Sequence, residues 1–149
     1  MKKFKFSLDR VLRQRHIQVD IRQREFMEAE KLLDTEVEKL NHFKIQKEQA
    51  LKQRYVEVKD TTFWSATVEQ INLFLTGQDL RITKQNERLL EMKNIVESRR
   101  EILQQALTEA KMIEKLKEKK KAEFFKEVAK KEQEEIDELS VIRFSRIER

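Results

Sequence analysis

Proline and cysteine are absent from this chain, and glycine occurs only once in its 149 residues. Proline and glycine most often end or bend regular structure, so a compact fold of many short elements does not fit. Without cysteine there is no disulfide and no thiolate metal site, which suits a reducing compartment. No stretch approaches the roughly 18 apolar residues of a membrane span, and the basic N-terminus lacks the apolar run of a signal peptide. We therefore expect a soluble, cytosolic protein.

Charged residues, by contrast, make up 41% of the chain, and hydrophobic residues only 38%. An ordinary globular domain has about 25% charged residues. Because 33 basic residues are balanced by 28 acidic ones, the net charge is only +5. Mixed charge of this kind favours solvated helix faces over a nucleic-acid groove. The few apolar residues predict a thin core shared between two or three helices.

Apolar residues recur with a seven-residue period in two long segments, which is a helical and not a strand period. The first segment runs from about residue 7 to about residue 60, with its repeat at Leu12, Val19, Phe26, Leu33 and Leu40. The second runs from about residue 68 to about residue 143, with its repeat at Ile82, Leu89, Val96 and Leu103. The pattern predicts an all-α fold, a long two-helix antiparallel coiled-coil hairpin.

Two positions compete for the turn between these helices. Heptad order fails at residues 60–67, where threonine and serine dominate, and Thr67 with Gln70 forms a capping box that predicts a helix start at Val68. Gly77 is the alternative, although a lone helical glycine costs only about 1 kcal/mol. We favour residues 60–67, which makes residues 1–149 a single helical-hairpin domain.

A turn at residues 60–67 also sets the register of the hairpin. It would place Leu12 near Leu116 and Leu40 near Arg88. The residues after Lys131, where the apolar stripe almost disappears, would then extend beyond the N-terminus without a partner helix.

Charged residues interrupt the predicted seam between the helices. Arg15 and Arg22 occupy d-type positions, and Glu36 and Lys47 break later heptads. Because a stable autonomous coiled coil prefers apolar residues at both seam positions, we infer a loosely packed seam or a face that is completed by a partner.

No residue set in the sequence has the arrangement of a catalytic, cofactor or metal site. His16 and His42 are the only histidines, and a thin hairpin offers no enclosed cavity in which either could act as a base. A single glycine cannot build a phosphate-binding loop, and acids such as those of 132–138 should stay solvated. We expect no enzyme activity, no cofactor and no small-molecule substrate.

The strongest charge feature lies between Lys111 and Lys131, which holds nine lysines and four glutamates, and the next seven residues hold five acids. It is either a solvated helix or an electrostatic handle for an acidic partner, with Lys119, Lys120 and Lys121 at its centre. Nucleic acid is the least favoured partner, because arginine is absent and Phe124 and Phe125 are the only aromatic residues in the stretch.

Apolar residues also cluster around the predicted turn. A thin tip cannot bury all of them, so they either cap the end of the coiled coil or form a contact patch for a partner. The cluster consists of Phe63, Trp64, Ile71, Leu73, Phe74 and Leu75.

Three motifs, in order along nearly the whole chain, resemble the flagellar FliJ family. The start, Phe4 to Arg15, has the family's opening aromatic, a leucine, a Val-Leu pair and a basic tail. The middle, Ile71 to Leu75 followed by Ile82, Gln85 and Leu89, looks like the start of the family's second helix. The end, Glu132 to Leu139, is similar to its acidic close.

This resemblance implies a protein of the flagellar type III export apparatus that is built like the stalk (gamma) subunit of rotary ATPases. The implied partners are the flagellar export ATPase ring, in whose centre the family sits, the membrane export gate and empty export chaperones. The implied place is the cytoplasmic face of the inner membrane at the flagellar base, held through protein contacts. A stalk of a related secretion or rotary ATPase, and a generic coiled-coil scaffold, are the alternatives.

In the family, the contact with the export gate centres on an aromatic residue early in the second helix, with a leucine one turn later. Phe74 matches the aromatic residue by its distance from Ile82, and Phe43 on the first helix is a weaker candidate. The turn-later position is Gln78 here, which departs from the family pattern.

Overall fold

The computed structural model describes residues 3–60 and 65–147 of the chain. Two α-helices account for almost all of them, α1 at Asp9–Asp60 and α2 at Ala66–Ile147. They pack against each other as an antiparallel hairpin, which confirms the fold class predicted from the seven-residue period. No helix in the described ranges is long and apolar enough to cross a membrane.

Local hydrogen bonds define where each helix begins. The Asp9 amide donates to the Phe6 carbonyl at 3.3 Å, and the Leu12 amide donates to the Leu8 carbonyl at 2.9 Å. Ser65 caps α2, because its hydroxyl accepts from the Val68 amide at 3.2 Å and satisfies a donor that has no partner inside the helix. Ser65, rather than the expected Thr67, therefore holds the cap position. α2 then continues without a break through Gly77.

The chain divides into two compact units. We call Ile21–Leu103 the connection unit, because it includes the end of α1 and the start of α2. We call Met1–Asp20 together with Gln104–Arg149 the terminal unit.

The connection unit has the more extensive apolar core. Ala50, Ile71 and Leu75 form a buried cluster close to the start of α2. Leu89 and Val96, which belong to the predicted repeat, continue the buried side of α2 with 7% and 6% of their surface exposed. Leu40, from the repeat on α1, is also buried.

The terminal unit is held together differently. Leu12 and Ala110 are its buried apolar residues in the described part of the chain. Phe4, in the segment before α1, lies against α2, where its phenyl ring and that of Phe124 have centroids 5.7 Å apart. From residue 131 to residue 146 every side chain is exposed, so this stretch of α2 lies against no other helix within the unit.

Candidate partner-binding surfaces

A buried glutamine lies on the seam of the connection unit. Gln78 has none of its surface exposed. Its amide nitrogen donates to the Phe43 carbonyl at 2.9 Å and to the Gln46 side-chain oxygen at 3.0 Å. Its own oxygen accepts from Arg81 at 3.0 Å. A polar group removed from water needs such partners, and here the opposite helix supplies two of them.

A second polar cluster surrounds Glu36, which is only 6% exposed. Gln85, itself buried, donates to the Glu36 carboxylate at 2.7 Å and to its backbone carbonyl at 2.9 Å. Lys39 and Arg88 reach the same carboxylate at 2.9 and 3.2 Å. The hydrogen bond from Gln85 and then that from Lys39 lower the pKa of Glu36 below its usual 4.5, although partial burial opposes the shift.

The other charges that interrupt the seam are also paired within their own units. Lys47 lies 2.6 Å from Asp79, and Arg22 lies 3.0 Å from Glu25. Arg15, in the terminal unit, forms an ion pair with Glu109 on α2. These charges therefore have complementary partners within their own units, while the expectation of a loosely packed seam or a face completed by a partner stays a prediction.

Phe74 lies on the surface of the connection unit. It is 40% exposed, whereas Leu75 beside it is 7% exposed and belongs to the apolar cluster. Leu73, on its other side, is 70% exposed. Gln78, one turn after Phe74, points into the seam and is inaccessible to a partner. A partner protein that binds Phe74 could therefore not also contact Gln78, the residue one turn later.

Phe43, the second aromatic candidate, is only half-buried. It lines a shallow groove together with Arg81, Lys84, Gln85, Glu87, Arg88 and Glu91 of α2. Its backbone carbonyl is one of the acceptors for Gln78. The aromatic candidates Phe63 and Trp64 lie outside the described residues.

The helix separates Lys119, Lys120 and Lys121. Consecutive residues on an α-helix point about 100° apart, so the three lysines cannot form one surface. Lys120 lies 3.0 Å from Glu123, and together they border a groove with Phe4 and Phe124. All three lysines are exposed. Lys119 shares its face of α2 with residues four and seven positions away, and not with Lys120 or Lys121.

Two further polar contacts, Asp9–Lys117 and His16–Glu114, join the two segments of the terminal unit. Asp9 lies 2.8 Å from Lys117 and 3.2 Å from Arg13, and these two contacts lower the pKa of its carboxyl group. His16 is an exposed side chain whose Nε2 lies 2.7 Å from Glu114. Within the described residues, no group of histidines and acids is arranged to hold a metal ion.

Sequence reasoning singled out Phe74 but missed the buried glutamines as structural residues. The available signal was the alternating three- and four-residue spacing of a coiled-coil seam, which is followed by Leu75, Gln78, Ile82, Gln85 and Leu89. It places the two glutamines on the seam, but it does not show which groups on α1 accept their hydrogen bonds.

Comparisons with known proteins agree with this architecture. A solved structure, that of CT670 from Chlamydia trachomatis, a proposed YscO homolog, matches with a TM-score of 0.68 and 23% sequence identity. The alignment covers 94% of this chain and 94% of that one. At this identity the likeness supports the fold. No curated protein sequence matches the chain.

The family-level comparison extends over nearly the whole chain. The model described as "Flagellar FliJ protein" matches residues 4–149, which include both helices and the segment before α1. The motifs at the start, middle and end of the chain, and the hairpin that α1 and α2 form, all lie within this match. The chain therefore belongs to the flagellar FliJ family of non-catalytic components of the flagellar and type III export apparatus.

Proposed function

We propose that this protein is the stalk of a flagellar export ATPase. In this role it occupies the centre of the ATPase ring, promotes ring assembly and ATP hydrolysis, links the ring to the membrane export gate and escorts empty export chaperones. It acts at the cytoplasmic face of the inner membrane, at the base of the flagellum. Family membership supports the association with the export apparatus, and the surfaces described above support the individual contacts.

The exposed Phe74 is the observation on which the proposed gate contact depends. Its neighbours Ile71 and Leu75 are buried in the apolar cluster, so the helix is firmly held there while the aromatic side chain remains accessible. Aromatic residues on a rigid support are typical anchors of protein–protein contacts, because they bury a large area at low entropic cost. Phe43, in its groove of mixed basic and acidic side chains, is the second candidate for the same partner or for a chaperone.

The proposed contact with the ATPase ring uses the terminal unit. Residues 131–146 of α2 are exposed along their whole length, and apolar side chains such as Ile136, Leu139 and Phe144 are more than half exposed. Exposed apolar side chains of this size are typical of a segment that packs against another protein. Lys119, Lys120 and Lys121 would contribute charge to that contact from different faces of the helix.

Titrating this protein into the purified flagellar export ATPase tests the stalk role. We expect the rate of ATP hydrolysis and the fraction of assembled rings to rise until the stalk sites are filled. A protein that only tethers other components would bind without changing either quantity. Unchanged hydrolysis and ring assembly across the titration would rule out the proposed function.

The variant Phe74→Ala tests the gate contact. We expect its affinity for the cytoplasmic domain of the export gate to fall about tenfold or more, because truncation of a central aromatic anchor has an effect of this size. Far-UV circular dichroism should show nearly unchanged helicity. Leu73→Ala, at the neighbouring exposed position, serves as the matched control and should bind normally. A large loss of helicity in Phe74→Ala would instead identify Phe74 as a core residue.

A stalk of a related type III secretion ATPase is the second candidate function. The structural likeness to a proposed YscO homolog favours it, since the same hairpin would serve either system. Binding to a flagellar and to a virulence-type ATPase, measured side by side, separates the two candidates, because a dedicated stalk should stimulate only its own ATPase.

A further inference from the structure

A row of lysines follows one face of α2 in the terminal unit. Its members lie four, four, seven and four residues apart, and this spacing keeps them on the same side of an α-helix. The row consists of Lys111, Lys115, Lys119, Lys126 and Lys130, all of them exposed. At 1.5 Å per residue it is about 28 Å long.

This face points away from the rest of the terminal unit. The residues of α2 that meet the N-terminal segment and α1, among them Ala110, Lys117 and Phe124, lie on the opposite side of the helix. Ala122 and Ala129 lie between the lysines, and the nearest acids, Glu118 and Glu123, fall at the edges of the row. The row is therefore a straight, uniformly basic and solvent-facing strip.

The lysines of the row are largely free of counter-ions. Within residues 3–60 and 65–147, Lys130 has a distant partner in Glu134 at 3.8 Å, and the other four form no ion pair within 4 Å, although Lys119 and Lys126 also interact electrostatically with Glu123. Residues 111–131 contain nine lysines and four glutamates, so this one stretch carries a charge of +5, equal to that of the whole chain. Lysine therefore dominates the charge of this stretch of α2, and the five acids of residues 132–138 follow it directly.

We infer that the lysine row docks the protein directly onto the anionic phospholipid headgroups of a membrane surface. Five lysines on one exposed helix face match the basic clusters that bind acidic lipids, where each lysine near the surface strengthens binding about fivefold. A planar membrane surface can contact all five lysines at the same time, because the row follows one face of α2 for about five turns. Met112, which borders the row and is 64% exposed, can reach the interfacial region of the lipid.

Other anionic partners fit the row less well. Nucleic-acid contacts usually include arginine forks or aromatic stacking platforms, but the row contains no arginine. The nearby ring of Phe124 packs against other rings, with its centroid 5.7 Å from that of Phe4 and 5.6 Å from that of Phe125. An acidic protein surface would need several apolar anchors among the charges, whereas the row offers Met112 at its border and alanines between its lysines. The stalk role places the terminal unit, including Lys119, in the ATPase ring, so membrane docking is a separate state in which that unit lies outside the ring. It adds a lipid contact to a protein otherwise expected to reach the membrane through other proteins.

The test is co-sedimentation of the full chain with vesicles of phosphatidylcholine alone or with about one third phosphatidylglycerol. We expect binding only to the anionic vesicles, and a steep loss as salt rises from about 0.05 M to about 0.5 M, since the Debye length shortens. Changing all five row lysines to glutamine should weaken binding by about 100-fold or more. Circular dichroism should show that this variant remains helical.

A matched control variant also loses five positive charges, but from exposed lysines outside the row. This variant should bind anionic vesicles nearly as well as the natural chain, and it carries the substitutions Lys31→Gln, Lys44→Gln, Lys52→Gln, Lys59→Gln and Lys93→Gln. Equal losses in the two variants would overturn the inference, because net charge and not the row would then govern binding. Tighter binding to a DNA oligonucleotide or to polyglutamate than to the vesicles would also overturn it.

Discussion

The connection unit and the terminal unit use the same two helices but stabilise them by different means. In the described part of the chain, eight of the ten buried apolar residues belong to the connection unit. The buried polar residues Glu36, Gln78 and Gln85 belong to it as well. The terminal unit has Leu12 and Ala110 as its buried apolar residues, and the side chains of its cross-helix ion pairs are 39–50% exposed.

The two units should differ in how strictly they fix the register between α1 and α2. A buried polar residue on a coiled-coil seam tolerates only the register in which its hydrogen-bond partners are present, because any slip leaves it unsatisfied. Solvated ion pairs can exchange partners at little cost. We therefore expect the connection unit to hold a single register, and the terminal unit to leave more of its surface available for partners.

The largest effect should come from Gln78→Ala in the connection unit. We expect the free energy of unfolding to fall by about 2 kcal/mol, because the change leaves a cavity at a fully buried position and removes the partner of Gln46 and Arg81. Urea unfolding followed by circular dichroism measures this. Gln49→Ala, at an exposed position of α1, is the control and should change stability little. A loss no larger than that of the control would show that the buried glutamine does not specify the pairing.

A smaller effect, which depends on pH, should come from Glu36→Gln. Because the folded-state pKa of Glu36 lies below its usual 4.5, the ionised carboxylate stabilises the hairpin fully above that pH. This stabilisation is lost as pH falls through the folded-state pKa. Glu36→Gln should therefore be less stable than the natural chain at neutral pH, and this deficit should shrink in acid.

Urea unfolding at neutral pH and well below pH 4.5 provides the measurement for this variant. Glu38→Gln changes the same residue type at an exposed position two residues away and should show little difference at either pH. If the deficit of Glu36→Gln were the same in acid as at neutral pH, the ionised state of Glu36 would not be what stabilises the hairpin.

The smallest effect should come from the terminal unit. Arg15 and Glu109 form a cross-helix ion pair, but their side chains are 43% and 40% exposed. In a double-mutant cycle with Arg15→Ala and Glu109→Ala, we expect a coupling energy of about 0.5 kcal/mol, because water and salt screen such a pair. A coupling near 2 kcal/mol, comparable to the effect at Gln78, would remove the contrast between the two units.

Much of the fold could be read from local patterns. Leu12 and Leu40, picked out by the seven-residue repeat, are buried, as are Leu89 and Val96 on the second helix. Glu36 lies within 3.2 Å of Arg88, one turn from the predicted neighbour Leu40. The candidate surfaces were less predictable, because consecutive lysines that look like one cluster in the sequence diverge around the helix.

The sequence by itself determined that this protein is a pair of long helices of the flagellar FliJ family, and that Phe74 lies early in the second helix. These properties follow from the spacing of residues along one chain, which an α-helix converts directly into faces. Only the tertiary structure decided how the polar seam residues are satisfied. The partners of Gln78 and Gln85 lie 32 and 49 residues away, and their side chains meet only after the hairpin has closed.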